Sequence, residues 1–291
     1  MAIPKIDPAM LAALKSKKVD TVKDGFHSIL YSDPKAGKTT SLDDPNMKVL
    51  LLDMEGGESV LAGSANVDVV KITSLEQLNV YGDLLKEGMW IDSNGQIKPL
   101  EHGLIAADSI TRLQDLVKDY VVRVVAPNRQ REIKTGDFAQ RFGAISDWGN
   151  FGSIITDLVK FMHGLTKRGD KSINFMWLAH KDNKHENPNI ETLVTGTQIK
   201  MQGGSVPIVM SVVDAIFFMN KGLIKNPTTG DTNMYYWIQT DVVGITEAGV
   251  RQSKREEKLP AKIYNVVWSE VFTKLGYRTS YGAEKINVSN D

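Results

Sequence analysis

The apolar positions of the chain fall into two alternating kinds of segment. Short, nearly continuous apolar runs occupy residues 26–32, 48–55, 67–72, 104–108 and 172–180. Most of them are separated by segments whose apolar positions recur with helical spacing. Continuous apolar strands that alternate with helices indicate a mostly parallel sheet covered on both faces.

The last third of the chain shows a different pattern. Residues 213–222 and 233–241 are two apolar, aromatic-rich runs, and the segment between them contains Asn-Pro and Thr-Gly-Asp. These turn signals predict a hairpin. Residues 266–276 have the spacing of a last amphipathic helix. The predicted fold is therefore α/β, a mostly parallel sheet flanked by helices with antiparallel strands at its C-terminal end.

No linker is long enough to force a boundary between domains, so a single main domain is predicted. The expected organisation is a short N-terminal helix and link over residues 1–24 and a core over residues 25–248. A charged tail with a final helix would cover residues 249–291.

Composition narrows the function classes. The 291 residues are 42% hydrophobic, which is enough for a sizeable core, and 35 basic residues balance 35 acidic ones. With zero net charge, a nucleic-acid partner requires a local basic patch. The absence of cysteine excludes disulfides, thiolate zinc sites and cysteine nucleophiles. No apolar run approaches the roughly 20 residues of a membrane span, so we expect a soluble protein without a membrane partner.

Residues 32–40, with the sequence SDPKAGKTT, are a candidate for phosphate chemistry. A phosphate-binding loop directs backbone N–H groups at phosphates, places a lysine on the outer ones and a hydroxyl on magnesium. Lys38 and Thr39 supply these side chains, although Ser32 stands where the pattern opens with glycine. Because serine is small and Asp-Pro favours turns, we expect the loop to tolerate Ser32.

A predicted strand before this loop and a predicted helix from residue 39 favour a nucleotide site over a chance Gly-Lys-Thr in a polar turn. The residues predicted to bind the nucleotide are Ser32, Asp33, Pro34, Lys35, Ala36, Gly37, Lys38, Thr39 and Thr40.

Carboxylates at two strand ends complete the candidate site. Asp108 ends a buried run, where a carboxylate is costly unless it serves an ion, so Thr39 and Asp108 are predicted to hold magnesium. Asp53 and Glu55 end another run, and alternation places them on the same side of that strand. The alternative for either strand is an acid that caps the next helix.

The order of these motifs resembles the RecA-type recombinase core: a phosphate loop, then strands ending in DMEGG, ADS and LAH. More narrowly, residues 25–260 resemble the compact phage RecA-like ATPases that assist single-strand annealing. This resemblance implies ATP and Mg²⁺ as cofactors, with Glu55 activating water and His180 sensing the γ-phosphate. Lys38 completes the implied catalytic set. The chain departs from bacterial RecA at His180, where that protein has glutamine.

By the same resemblance, two polar segments would contact single-stranded DNA. One lies between the helix after Asp108 and residue 151, and the other follows His180. Their basic and aromatic residues suit sequence-neutral binding, although a solvated surface loop is the alternative for each. The predicted DNA-binding residues are Arg129, Arg131, Lys134, Arg141, Lys181, Lys184 and Lys200.

The resemblance also implies self-assembly into a filament or ring, with a single-strand-binding protein as a further partner. Lys254 and Arg255 of the tail are candidates to act in trans on a neighbouring subunit's γ-phosphate. A solvated helix start, with Glu256 and Glu257 as local partners, is the alternative for this segment.

The leading hypothesis is an ATP-dependent, single-stranded-DNA-binding recombination or annealing protein of phage type. Its ATP turnover would be stimulated by DNA. We expect the protein in the cytoplasm, which for a phage-encoded protein is the cytoplasm of the host bacterium. Two alternatives stay open. One is a P-loop kinase for a small molecule, and the other is a nucleotide-binding structural or regulatory module, which Ser32 favours.

Overall fold

The computed structural model describes residues 25–125, 145–185, 194–202, 205–225, 232–244, 246–251 and 258–281. Within these ranges the chain forms twelve strands and five α-helices. The predicted N-terminal helix within residues 1–24 lies outside the described residues.

The secondary structure follows the alternation of apolar runs and amphipathic segments. The strands are β1 (His27–Ser32), β2 (Val49–Asp53), β3 (Val67–Lys71), β4 (Met89–Ile91), β5 (Ile97–Pro99), β6 (Leu104–Asp108), β7 (Phe175–His185), β8 (Val194–Ile199), β9 (Ala215–Lys225), β10 (Thr232–Gln239), β11 (Gly249–Val250) and β12 (Lys262–Tyr264). The α-helices are α1 (Leu75–Lys86), α2 (Ile110–Tyr120), α3 (Ile145–Leu165), α4 (Ser205–Val212) and α5 (Trp268–Lys274). A π-helical turn, Val121–Val125, continues α2.

Ten strands form one sheet in the order β12-β10-β9-β1-β7-β6-β2-β3, with β11 added to β9 and β8 to β7. The strands from β9 to β3 in this order pair in parallel, whereas β10 and β12 are antiparallel. Strands β4 and β5 form a separate hairpin that the sequence did not predict. The predicted α/β fold, with antiparallel strands toward its C-terminal end, is confirmed.

Both faces of the sheet are covered, which explains why the central strands are apolar throughout. In β1, Ile29 and Tyr31 face one core and Leu30 faces the other, and all three side chains are fully buried. Helices α1 to α4 contribute to the first core, while α5 contributes Trp268 and Phe272 to the second. Residues beyond 248 therefore take part in the same sheet and core, while the proposed domain boundaries stay a prediction.

The helix predicted to start at residue 39 is absent. A 3₁₀ turn, Thr40–Leu42, follows the loop, and the chain reaches β2 without an α-helix. Pro45 disfavours a helical conformation for the residue before it. The buried carboxylate of Asp44 instead accepts hydrogen bonds from the backbone N–H and hydroxyl of Ser269, at 2.7 and 2.8 Å. The segment is thereby attached to the start of α5.

The strand predicted to end at His180 continues to residue 185, because β8 pairs with it in antiparallel fashion. The predicted irregular loop after His180 is therefore wrong for the described part of that segment. Lys181 and Lys184 lie on β7, and Lys200 directly follows β8. No helix within the described ranges is both long and apolar enough to cross a membrane.

Candidate functional site

Four strand ends meet at one edge of the sheet and define the candidate site. Strand β7 lies between β1 and β6, and β6 pairs with β2. The register aligns Ser32 with His180 and Asp53 with Asp108. The carboxyl ends of parallel strands are where such folds bind ligands. The phosphate loop, both strand-end acids and His180 are thus collected at one place.

The loop backbone is tightly turned between β1 and the 3₁₀ turn. Gly37 has φ +97° and Lys35 has φ +60°, both in the left-handed region. Glycine adopts this region without steric cost, whereas the lysine is strained there. A Cβ atom at Gly37 would also lie 3.0 Å from a ring carbon of Tyr236. Both the backbone angle and this close approach favour glycine at residue 37.

Lys38 is buried within its own loop. Its Nζ donates to the Ser32 hydroxyl at 3.0 Å and to the Asp33 carbonyl at 3.4 Å. Burial lowers the pKa of Lys38, against the opposing charges of Asp108, Glu55 and Asp33. Ser32, the departure from the glycine pattern, therefore takes part in holding the ammonium group.

The predicted magnesium ligands contact one another. Thr39 Oγ1 donates to Asp108 Oδ2 at 2.6 Å, and the peptide bond after Asp108 is cis. Burial raises the pKa of Asp108, against the hydrogen bond from Thr39. A Cβ atom at Gly57 would lie 3.8 Å from Asp108 Oδ2 and 3.8 Å from Thr39 Oγ1. The backbone of the turn after β2 therefore approaches this pair closely.

The hydroxyl oxygen of Thr39 and the carboxylate oxygen of Asp108 are ligand types that bind magnesium in proteins. Mg²⁺ in nucleotide sites takes one or two carboxylates, with phosphate and water oxygens as its other ligands. Asp108 is 3% exposed, and a carboxylate so deeply buried is stabilised by a nearby cation. Within the described ranges, no group of three or more His, Cys, Asp or Glu side chains is placed to hold a metal ion. Phosphate and water oxygens would therefore have to supply the other magnesium ligands.

Glu55 is held from two sides. His180 Nε2 lies 2.9 and 3.1 Å from the two carboxylate oxygens, and the Ser109 hydroxyl donates to Oε1. Burial acts to raise the pKa of Glu55, but the hydrogen bonds from His180 and Ser109 and the nearby charges of His180 and Lys38 outweigh it. The pKa of Glu55 is lowered, so its carboxylate is ionised at neutral pH.

Asp53 has a different position from the one that strand alternation predicted. Strand β2 ends at Asp53, so Glu55 lies in the following turn and alternation does not apply. Asp53 Oδ1 accepts the backbone N–H groups of Glu55, Gly56 and Gly57 at 3.1, 2.9 and 3.4 Å. Asp53 therefore builds the turn that presents Glu55.

Ser109 was not predicted as a site residue from the sequence, and it has two roles. Its hydroxyl accepts the Arg112 N–H at 3.1 Å as the N-cap of α2, and it donates to Glu55. The helix-cap alternative for Asp108 is wrong, because the serine fills the cap and Asp108 faces Thr39. A serine directly before an amphipathic run is a recognisable capping signal, although its contact with Glu55 is not.

The predicted DNA-binding lysines after His180 are placed differently from one another. Lys181 Nζ lies 2.9 Å from Asp33 Oδ2 of the phosphate loop, and Lys184 is ion-paired with Glu247. Lys200 is exposed, and its backbone N–H donates to the His180 carbonyl at 2.8 Å. The remaining predicted cations lie outside the described residues: Arg129, Arg131, Lys134, Arg141, Lys254 and Arg255.

Two further side chains reach the loop from the hairpin of β9 and β10. Lys221 Nζ donates to the Lys35 carbonyl at 2.9 Å, and the Tyr236 ring lies over Gly37. The sequence predicted this hairpin but not that β9 would lie beside β1. Without the strand order, neither residue could be assigned to the site.

A comparison with protein-family models matches residues 25–241 to the family described as the AAA domain. The match covers well over half of the chain and includes the phosphate loop and all four strand ends of the site. A comparison with curated proteins gives no match.

Proposed function

We propose, from the premise that this chain belongs to the AAA domain family of P-loop NTPases, that it hydrolyses ATP in a cycle coupled to single-stranded DNA. In its narrower form, the proposal is a recombination or annealing protein of the phage RecA-like type that assembles on DNA. The observation that carries hydrolysis is the position of the Glu55 carboxylate, held by His180 and Ser109 beside the phosphate loop.

The side chains divide the work of hydrolysis. Lys38 supplies positive charge to the outer phosphates, and the loop N–H groups orient them. Thr39 and Asp108 would hold magnesium, which when bound adds positive charge against the phosphate oxygens. Glu55 accepts the proton of the attacking water, since a carboxylate retains free lone pairs beside its hydrogen bonds.

His180 provides a physical route from the site to the β7–β8 hairpin. Its side chain contacts Glu55, and its backbone lies on β7 five residues before the end of that strand. The same hydrogen bonds that lower the pKa of Glu55 also weaken it as a base. A movement of β7 that separates His180 from Glu55 would strengthen the base. On this proposal, turnover is low in the conformation described here and rises when DNA binding moves the hairpin.

The ion pairs of the hairpin support the same coupling. Lys181 is paired with Asp33, which belongs to the phosphate loop. A DNA phosphate that binds Lys181 would displace the Asp33 carboxylate from this ion pair. Lys184 is paired with Glu247 in the same way, so DNA must displace an acid from each lysine, and we expect modest DNA affinity for one subunit. Each phosphate contact that forms makes this affinity depend on salt.

Steady-state ATP turnover, measured with and without single-stranded DNA, tests the proposal. We expect slow turnover alone and a clear increase with DNA. Lys38→Ala should abolish nucleotide binding in a folded protein, because it removes the buried cation of the loop. Turnover that is slow and indifferent to DNA would support a regulatory module instead, and phosphate transfer to a small molecule would support a kinase.

A triple variant tests whether the segment before residue 151 contacts DNA. Replacing Arg129, Arg131 and Lys134 together with alanine should weaken single-strand binding and flatten its salt dependence, because fewer counterions are released. Basal ATP turnover without DNA should stay the same. An unchanged affinity and an unchanged salt slope would remove this segment from the DNA interface.

A further inference from the structure

The hairpin of β9 and β10 passes directly beside the phosphate loop. Strand β9 is the parallel neighbour of β1, in register from Ser28–Ala215 to Tyr31–Phe218. Beyond Phe218 it continues past the point where β1 turns into the loop, which brings Lys221 to the loop backbone. Lys221 is paired across the hairpin with Tyr236. These two side chains therefore reach the loop from adjacent strands.

Lys221 is anchored to the loop by a neutral group. Its ammonium donates to the Lys35 carbonyl at 2.9 Å, and Tyr236 packs over Gly37 two residues further on. Lys221 therefore lies against the backbone of the same loop whose N–H groups would bind the phosphates.

The charge of Lys221 has no acid partner among the residues that the structure describes. The other lysine that reaches the loop from outside, Lys181, is ion-paired with Asp33 at 2.9 Å. Lys38 is buried and hydrogen-bonded inside the loop. An ammonium bonded to a carbonyl gains less than one bonded to an anionic oxygen. Of these three lysines, Lys221 is the exposed one that no acid contacts within the described residues, whereas Lys181 is paired with an acid and Lys38 is buried inside the loop.

We propose that Lys221 is a second cation for the triphosphate of ATP, supplied by the same subunit that supplies Lys38. The inference rests on the proposed ATPase function and adds a phosphate-binding residue to it. When a triphosphate occupies the loop, the Lys221 ammonium exchanges the Lys35 carbonyl for an outer-phosphate oxygen. It distinguishes ATP from ADP, since the anionic oxygen that it binds belongs to the terminal phosphate.

This assignment differs from the expectation for Lys254 and Arg255, which would act on a neighbouring subunit. Lys221 reaches its own loop within one chain, so its contribution does not require assembly. A single chain would then bind ATP with two lysines before any neighbour takes part.

The test compares Lys221→Met, which keeps the length and removes the charge, with Lys221→Arg, which keeps the charge. Lys262→Met is the matched control, since Lys262 lies on the same sheet two strands from β9 and contacts Trp237. The probes are ADP and a non-hydrolysable ATP analogue, each with Mg²⁺, measured by titration calorimetry. The ratio of the two affinities is the readout.

We expect Lys221→Met to bind the ATP analogue about tenfold more weakly, as for the loss of a hydrogen bond to a charged group. The same variant should bind ADP nearly as well as the wild type, which also shows that the loop is folded. Lys221→Arg and Lys262→Met should keep the wild-type ratio. An equal loss for both nucleotides, or no loss for either, would overturn the proposal.

A mixing experiment tests whether Lys221 acts within its own chain. Lys221→Met and Lys38→Ala proteins are combined at several ratios, and ATP turnover is compared with the sum of the separate proteins. Action in cis predicts no recovered turnover, because neither chain has both lysines. Recovery would show that Lys221 serves a neighbour and would overturn the cis assignment. A wild-type protein that binds neither ADP nor the ATP analogue would overturn both this inference and the proposed function. If the wild type binds both nucleotides, the variants test the role of Lys221 alone.

Discussion

At the scale of single residues, the site depends on side chains that hold one another in place. Lys38 donates to Ser32, Thr39 donates to Asp108, and Glu55 is held by two partners. A network of this kind keeps charged groups fixed in a buried place, where each unpaired group would be costly. Replacing one member therefore changes the chemistry of its neighbours as well as its own.

Glu55→Gln is the sharpest single change. Glutamine keeps the size and one carbonyl acceptor but cannot take a proton from water, so ATP turnover should fall about a hundredfold or more. Binding of the non-hydrolysable analogue should be close to that of the wild type. Glu101→Gln, which removes an exposed acid paired with Lys48, is the control and should turn over normally. Turnover that survives Glu55→Gln would exclude Glu55 as the base.

At the scale of elements, the sequence predicted the strands and the hairpin whose formation depends on local composition. The runs that became β1, β2, β6 and the start of β7 are buried on both faces, so their apolar character is continuous. The β9–β10 hairpin was predicted from its turn residues. The helix expected after the loop is absent, and Pro45 was a local signal against a long one. The contact that fixes this segment could not be predicted, because Asp44 and its partner Ser269 are 225 residues apart.

The same division applies to the candidate site. The loop motif predicted Lys38 and Thr39, and the acids at or just after two apolar runs predicted Asp108 and Glu55 as their neighbours. Contacts such as those of Ser109 with Glu55, or of Lys221 with the loop, depend on strand order and side-chain direction, which local patterns do not contain. The extension of β7 also depends on pairing with β8 across the segment between them.

The connection between the loop segment and α5 has a measurable strength. Asp44 is 1% exposed, and Asp44→Ala leaves the buried Ser269 N–H without its acceptor. We expect the free energy of unfolding to fall by about 2 to 3 kcal/mol, as for the loss of hydrogen bonds to a charged group. Urea denaturation measures this change. Asp43→Ala, at the exposed neighbouring position, should cost far less, and equal costs would contradict the connection.

At the scale of the whole molecule, one sheet carries both cores and the site. Buried His27 lies on β1 at the end opposite the phosphate loop. Its Nε2 accepts the Trp177 indole N–H at 3.0 Å, and its Nδ1 lies 3.3 Å from Nδ1 of His163. Burial, with the nearby charges of His163 and Lys167, lowers the pKa of His27 to about 3. The neutral ring is thus part of the folded state.

This histidine makes global stability depend on pH. Between about pH 6.5 and 3 the unfolded chain binds a proton at His27 and the folded chain does not, so acid favours unfolding by up to about 1.4 kcal/mol per pH unit. The contribution is fully present above pH 6.5. His27→Gln, which can still accept from Trp177, should flatten the decline in the free energy of unfolding between pH 7 and pH 4. A decline as steep as in the wild type would contradict this role.

The three-residue turn after the phosphate loop has a consequence for the way the site attracts its ligand. A regular helix at that place would present a partial positive charge of about half a unit from aligned backbone dipoles. Because this chain has only one turn there, more of the attraction must come from full charges on side chains, and Lys221 is an exposed one. Dissolved ions screen exposed charges over about 8 to 10 Å at moderate salt. If Lys221 holds the triphosphate as proposed, rising ionic strength lowers the occupancy of the site by ATP, because the exposed ammonium is screened.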